Sequence, residues 1–71
     1  MSDRMDMIAV IASSAVAAIG YDAATRKMKI RFVAGETYDF CDVPPSVFEG
    51  LLGAVSKGRY YNEHIKDRYP C

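Results

Sequence analysis

Apolar and polar positions alternate most cleanly in "KMKIRF", residues 27–32. Met28, Ile30 and Phe32 fall on one face, and Lys27, Lys29 and Arg31 on the other. A period of two over six residues predicts a half-buried strand with one wet face. "AVAAIGY" before it predicts a weaker strand ending at the turn "DAAT". A four-residue turn at Asp22–Thr25 sets Ile19 opposite Met28 and Ala17 opposite Ile30, so the apolar sets agree.

The turn "VAGE" decides where two aromatics go. A type I′ turn at Ala34-Gly35 pairs Arg31 with Tyr38 and Lys29 with Phe40, which builds a basic and aromatic platform. That turn needs positive φ at both central residues, and Ala34 resists it. A type I turn with a bulge at Gly35 needs positive φ at Gly35 alone. The register then slips by one. Ile30 faces Tyr38, Met28 faces Phe40, and Lys29 faces Asp39, so the apolar residues join the core and a charge pair forms outside. The second register is the expected one.

Helical spacing follows in "DVPPSVFEGLLGAV". Pro45 suits the first helical position, and Ser46 with Glu49 offers an alternative capping box slightly later. Val47, Phe48, Leu51, Leu52 and Val55 form a buried stripe. Gly50 and Gly53 each cost about 1 kcal/mol relative to Ala, so this helix depends on packing. Ser56 then caps a second helix, Lys57 to about Asp67. Tyr61 and Ile65 face the sheet, Tyr60 and His64 form the next row, and Arg59–Glu63 and Glu63–Lys66 can pair on the wet side. The expected fold is α+β, a three-stranded antiparallel sheet followed by two helices packed on one face. Residues 1–9 form an extension, and Met5, Met7, Ile8, Val10 and Ile11 can add an edge strand, swap between chains or fray. Residues 10–71 form a single domain.

Composition bounds the functions. A chain of 71 residues that is 51% apolar is one small folding unit. Nine basic and nine acidic side chains cancel, and no apolar run is long enough to span a bilayer. The start of the chain is apolar, but Asp3 and Asp6 against Arg4 make a poor secretory leader. A cytoplasmic location follows, with Cys41 and Cys71 as two reduced thiols and Cys71 mobile. One histidine and two distant cysteines cannot complete a zinc set, so neither metal nor cofactor is expected.

Charge is sorted along the chain even though it cancels in total. Arg26, Lys27, Lys29 and Arg31 form a block without acids, and Glu36, Asp39, Asp42 and Glu49 one without bases. Neighbouring strands that pair opposite charges give the same sorting.

Enzyme chemistry lacks its parts. His64 has no cleft, Ser13-Ser14 have no adjacent base and read as a turn, and "SKG" lacks the glycines of a phosphate loop. A nucleic-acid reading has more content. Ser56, Lys57 and Gly58 open a helix, where free N–H groups favour an anion. Arg59, Lys66 and Arg68 can neutralise phosphates, with Tyr60 as a stacking surface and His64 beside it. Lys27, Lys29 and Arg31 extend that footprint only if they share its side of the sheet. The competing reading is a protein-interaction or self-association module using the open sheet face or edge.

Five segments together resemble the KTSC domain, named after the C-terminus of some lysyl-tRNA synthetases. They are Ser13-Ser14, "IGYD" at 19–22, Tyr38-Asp39-Phe40, Val43-Pro44 and "SKGRYYNEHIKDRYP" at 56–70. They cover residues 10–70 in order. The central motif of the family is usually Tyr-x-Tyr, so Phe40 departs from it, and Cys71 is no part of the pattern. The resemblance implies a small bacterial or phage-type domain, alone or appended to a larger protein, with no catalytic activity. The synthetase context adds RNA or tRNA as a partner.

Overall fold

The computed structural model describes residues 7–11 and 13–71. Four strands run β1 (Met7–Ala9), β2 (Val16–Asp22), β3 (Lys27–Phe32) and β4 (Thr37–Phe40), and they neighbour one another in that order. All pairings are antiparallel. Helix α1 (Pro45–Gly53), helix α2 (Lys57–Tyr60) and a π-helical turn (Tyr61–Ile65) follow. The α+β class stands, but the sheet has four strands where three were expected. Met7–Ala9 adds the fourth because Ile8 falls opposite Ile19, which keeps an apolar residue on the apolar face. The expectation for Met5 lies outside the described residues.

The β3–β4 register is the bulged one. Met28 faces Phe40, Lys29 faces Asp39 and Ile30 faces Tyr38. Gly35 takes φ of 110° and donates its N–H to the Phe32 carbonyl at 2.8 Å, a conformation that Ala34 is spared. Tyr38 nevertheless stays 46% exposed, because its hydroxyl donates to Glu36 Oε1 at 2.8 Å instead of entering the core.

The β2–β3 register differs from the expected one by two residues. Ile19 pairs with Ile30, Tyr21 with Met28 and Asp22 with Lys27. Both strands run further, and the chain reverses over Ala23–Arg26. The Asp22 carboxylate accepts from the Ala24 N–H at 2.9 Å, and Arg26 takes φ of 60°. A shift of two preserves the faces, so the apolar set still agrees. An irregularity between Val16 and Ala18 then brings Val16 opposite Phe32. Ser13 accepts from the N–H groups of Ala15 and Val16 at 3.1 and 3.0 Å, the turn expected of it.

Both helices cover the face that carries Ile19, Met28, Ile30 and Phe40. These four form one core with Val16, Val43, Leu51 and Ile65. Pro45 opens α1, and no Ser46 capping box forms. Val47, Phe48 and Leu52 pack at the margin of the core, whereas Val55 lies beyond the helix and is fully exposed. Tyr21 fastens α1 to the sheet, stacking on Phe48 at 4.6 Å and donating its hydroxyl to the Val43 carbonyl at 2.6 Å.

The second helix is not a continuous α-helix to Asp67. Lys66 N–H reaches back five residues to the Tyr61 carbonyl at 2.8 Å, and the helix stops at Ile65. The wider turn lets Tyr61 meet Phe32 and Phe40, at 5.0 and 5.9 Å between rings, while Ile65 is fully buried. Asp67, at φ of 62°, turns the chain back along β4.

The cysteines correct the reduced-thiol expectation. Cys41 and Cys71 are disulfide-bonded, with Cα atoms 4.8 Å apart. Cys71 is thus tied down, not mobile. Spacing could not show this, because the return at Asp67 is what brings the two together.

Candidate nucleic-acid interface

Strand alternation places Lys27, Lys29 and Arg31 on the sheet face that the helices leave uncovered. Their neighbours on β2 are Asp22, Gly20 and Ala18, in that order. Gly20 and Ala18 are small and buried beside the cations. A shallow depression of about 800 Å³ is lined by Lys27, Lys29 and Arg31 with Asp22, Asp39, Met7 and the two cysteines. Lys29 pairs with Asp39 at 3.7 Å, with both side chains well exposed. Such a pair contributes about 0–1 kcal/mol and releases its lysine at little cost. Among the described residues Lys27 and Arg31 join no ion pair.

The helix start is differently employed. Ser56 Oγ accepts from the Arg59 N–H at 3.4 Å, the cap expected of it. Lys57 Nζ donates to the Ala54 carbonyl at 3.0 Å and so closes the end of α1. Gly58 has a packing reason, since a Cβ on it would lie 2.9 Å from Ala15 Cβ. Arg59 Nε sits 3.0 Å from Glu63 Oε2. Tyr60 lies over Gly50 and against His64, whose ring centre is 4.5 Å away. Among the described residues no side-chain hydrogen bond or ion pair holds Tyr60, His64 or Lys66, and of these Lys66 stands outside the ring contact. It borders a groove of about 590 Å³ with Phe32, Glu36, Tyr38 and Tyr61.

The ten proposed site residues therefore divide. Lys27, Lys29 and Arg31 share one face. Ser56, Lys57, Gly58, Arg59, Tyr60, His64 and Lys66 lie on the helical layer behind it. No single basic footprint joins them, because period-two alternation turns the β3 cations away from the strand face that the helices need. Two tyrosines on the helical side have raised pKa values. The hydrogen bond to Glu36 and its charge hold Tyr38 up, and burial raises Tyr61. Sequence reading missed that Cys41 and Cys71 join these cations in one depression, and no local signal in the sequence shows it.

The KTSC domain model matches residues 12–69. The chain belongs to the KTSC domain family. A protein of Tsukamurella paurometabola is 46% identical over 59 residues, covering 83% of this chain and 88% of its own. A lysine–tRNA ligase of Nostoc punctiforme is 38% identical over 56 residues, 79% of this chain but only 10% of the ligase. The crystal structure of a KTSC domain protein from Yersinia pestis superposes with a TM-score of 0.87 at 35% identity, covering 93% of this chain and 92% of that one. The KTSC domain is thus a unit found both as a small protein and as one tenth of a larger enzyme. Among the described residues no cluster of His, Cys, Asp and Glu could hold a metal, and no helix is long and apolar enough to cross a membrane.

Proposed function

We propose that this KTSC domain is a non-catalytic RNA-binding module that holds the phosphate backbone on its uncovered sheet face. The observation that carries the reading is the row Lys27, Lys29 and Arg31 at alternate positions of β3, lining one shallow depression on the uncovered face. Cations at alternate positions along one strand offer a line of positive charge to a polyanion. Among the described residues no aromatic ring stands on that face, because Tyr38 and Phe40 share the side of Ile30 and Met28. The contacts are therefore to phosphate and sugar, and sequence preference is weak. The related segment in lysine–tRNA ligase supports the class of partner, since that enzyme's name sets it beside tRNA. The helix start is the weaker site, as Lys57 and Arg59 already have partners within the chain.

The test is tRNA binding between about 50 and about 200 mM salt. Replacing Lys27, Lys29 and Arg31 together by Ala should flatten the logarithmic salt slope by about 0.7–0.9 per lost phosphate contact. Arg59→Ala with Lys66→Ala should leave the slope unchanged. A slope flattened by the helix pair and untouched by the strand triple moves the site to the helical side. No binding at low salt ends the RNA reading.

A second reading rests on the outer edge of β1, where a three-residue strand leaves backbone groups unpaired and Ile8 is half-exposed. Pairing of two copies there gives a mass that rises with concentration and ignores the cation substitutions.

A further inference from the structure

We infer that the Cys41–Cys71 bond is a thiol–disulfide exchange site that latches residues 66–71 onto β4 and releases them on reduction. The segment is held at few points. After the helix ends at Ile65, the Cys41 N–H donates to the Tyr69 carbonyl at 3.0 Å, the one backbone hydrogen bond from this segment to the sheet side among the described residues. Tyr69 packs half-buried against the core, and the disulfide closes the end. None of the fully buried residues belongs to the segment. The fold can therefore survive its release, while the groove between Tyr38, Phe40, Tyr61 and Tyr69 cannot.

Access and charge favour exchange. Cys71 is exposed, so a small thiolate can reach its sulfur. Both cysteines line the depression that holds Lys27, Lys29 and Arg31. Positive charge there favours the incoming and departing thiolates, with Asp22 and Asp39 on the same wall opposing it. The co-reactant is a low-molecular-weight monothiol of the glutathione class. Its thiolate attacks Cys71 Sγ, the S–S electron pair leaves on Cys41 Sγ, and that sulfur takes a proton from water. A second thiolate attacks the small-molecule sulfur of the mixed disulfide, the electron pair leaves on Cys71 Sγ, and that sulfur also takes a proton from water, which leaves two protein thiols and one small disulfide. The same small disulfide is the oxidant in the reverse direction.

The proposal stands apart from the RNA reading, and its test needs no nucleic acid. The full chain is equilibrated in buffers of varied glutathione to glutathione-disulfide ratio. Free thiols are trapped by alkylation and counted by mass, and amide exchange is followed by residue. A reversible two-thiol transition is expected, in which the Cys41 amide exchanges at least roughly tenfold faster when reduced and the Ile30 amide is unchanged. Cys71→Ser should match the reduced wild type, and alkylated reduced protein gives the same reading if that variant does not fold. A bond that stays closed in the most reducing buffer, a Cys41 amide equally protected in both forms, or loss of protection at Ile30 overturns the proposal.

Discussion

The two faces of the sheet are made by the same strands and share almost nothing. On the covered face Ile19, Met28 and Ile30 are fully buried, and Phe32 and Phe40 pack edge-on against Tyr61. On the uncovered face stand Lys27, Lys29, Arg31, Asp22 and Asp39 with Met7 and small residues such as Ala18, and among the described residues this face has one exposed ion pair. Burying one Ile contributes about 1.5–3 kcal/mol, whereas an exposed ion pair contributes about 0–1. Stability is concentrated on one face, and the other is left free to vary its charge. A binding role fits the face on which substitution costs the fold least.

Four substitution experiments test this contrast. The largest effect is expected at Ile30→Ala, which should destabilise by about 2–5 kcal/mol in urea unfolding, while Lys29→Ala stays within about 0.5. Similar losses at both positions would erase the distinction between the faces.

Gly50→Ala sharpens the account of the covered side. Alanine is the better helix former by about 1 kcal/mol, yet its Cβ would sit 2.7 Å from Tyr60 Cζ. The tip of the half-buried Tyr60 ring must give way, so the gain of about 1 kcal/mol is expected to be cancelled and the net effect to be about zero or mildly destabilising. In a Tyr60→Ala background the same change should stabilise. A favourable Gly50→Ala in the wild type would show that the Tyr60 ring is not held against α1.

Gly35→Ala should cost about 1–2 kcal/mol through backbone strain alone, since nothing lies within 4 Å of its Cβ position. A neutral result would mean that the turn is not the bulged one that sets both faces of β4.

The smallest effect is a titration. The Tyr38 hydroxyl donates to Glu36, and its pKa is raised above the ordinary 10.0. The proton is held more tightly in the folded chain than in the unfolded one. Its contribution is therefore complete below the unfolded value and is lost as pH rises through the folded one. Glu36→Gln should lower the Tyr38 midpoint, read from phenolate absorbance against Tyr38→Phe. An unchanged midpoint would break the assignment to Glu36.

Much of this was legible from local pattern. Only Gly35 in "VAGE" tolerates positive φ, and that alone selects the β3–β4 register and the Lys29–Asp39 pair. Ser56 capped its helix, and Tyr61 and Ile65 turned inward as their spacing required. Less was legible where two local solutions keep the same parity. Sliding β2 by two residues on β3 leaves every apolar side chain on its face, so periodicity could not tell Ile19–Met28 from Ile19–Ile30. The candidate site was half legible. Its cations were identified, and the Arg59–Glu63 pair was readable from its i, i+4 spacing, but Lys57 read as a free charge until its partner in the fold was seen.

What the sequence determined by itself are the faces and the turns, because alternation, proline, glycine and capping act over a few residues. The tertiary structure alone decided which basic groups share a surface and which cysteines meet. Those outcomes depend on where the helices settle and on the chain's return at Asp67. Cys41 and Cys71 are thirty residues apart in sequence and 4.8 Å apart at Cα, a closeness that no local pattern encodes.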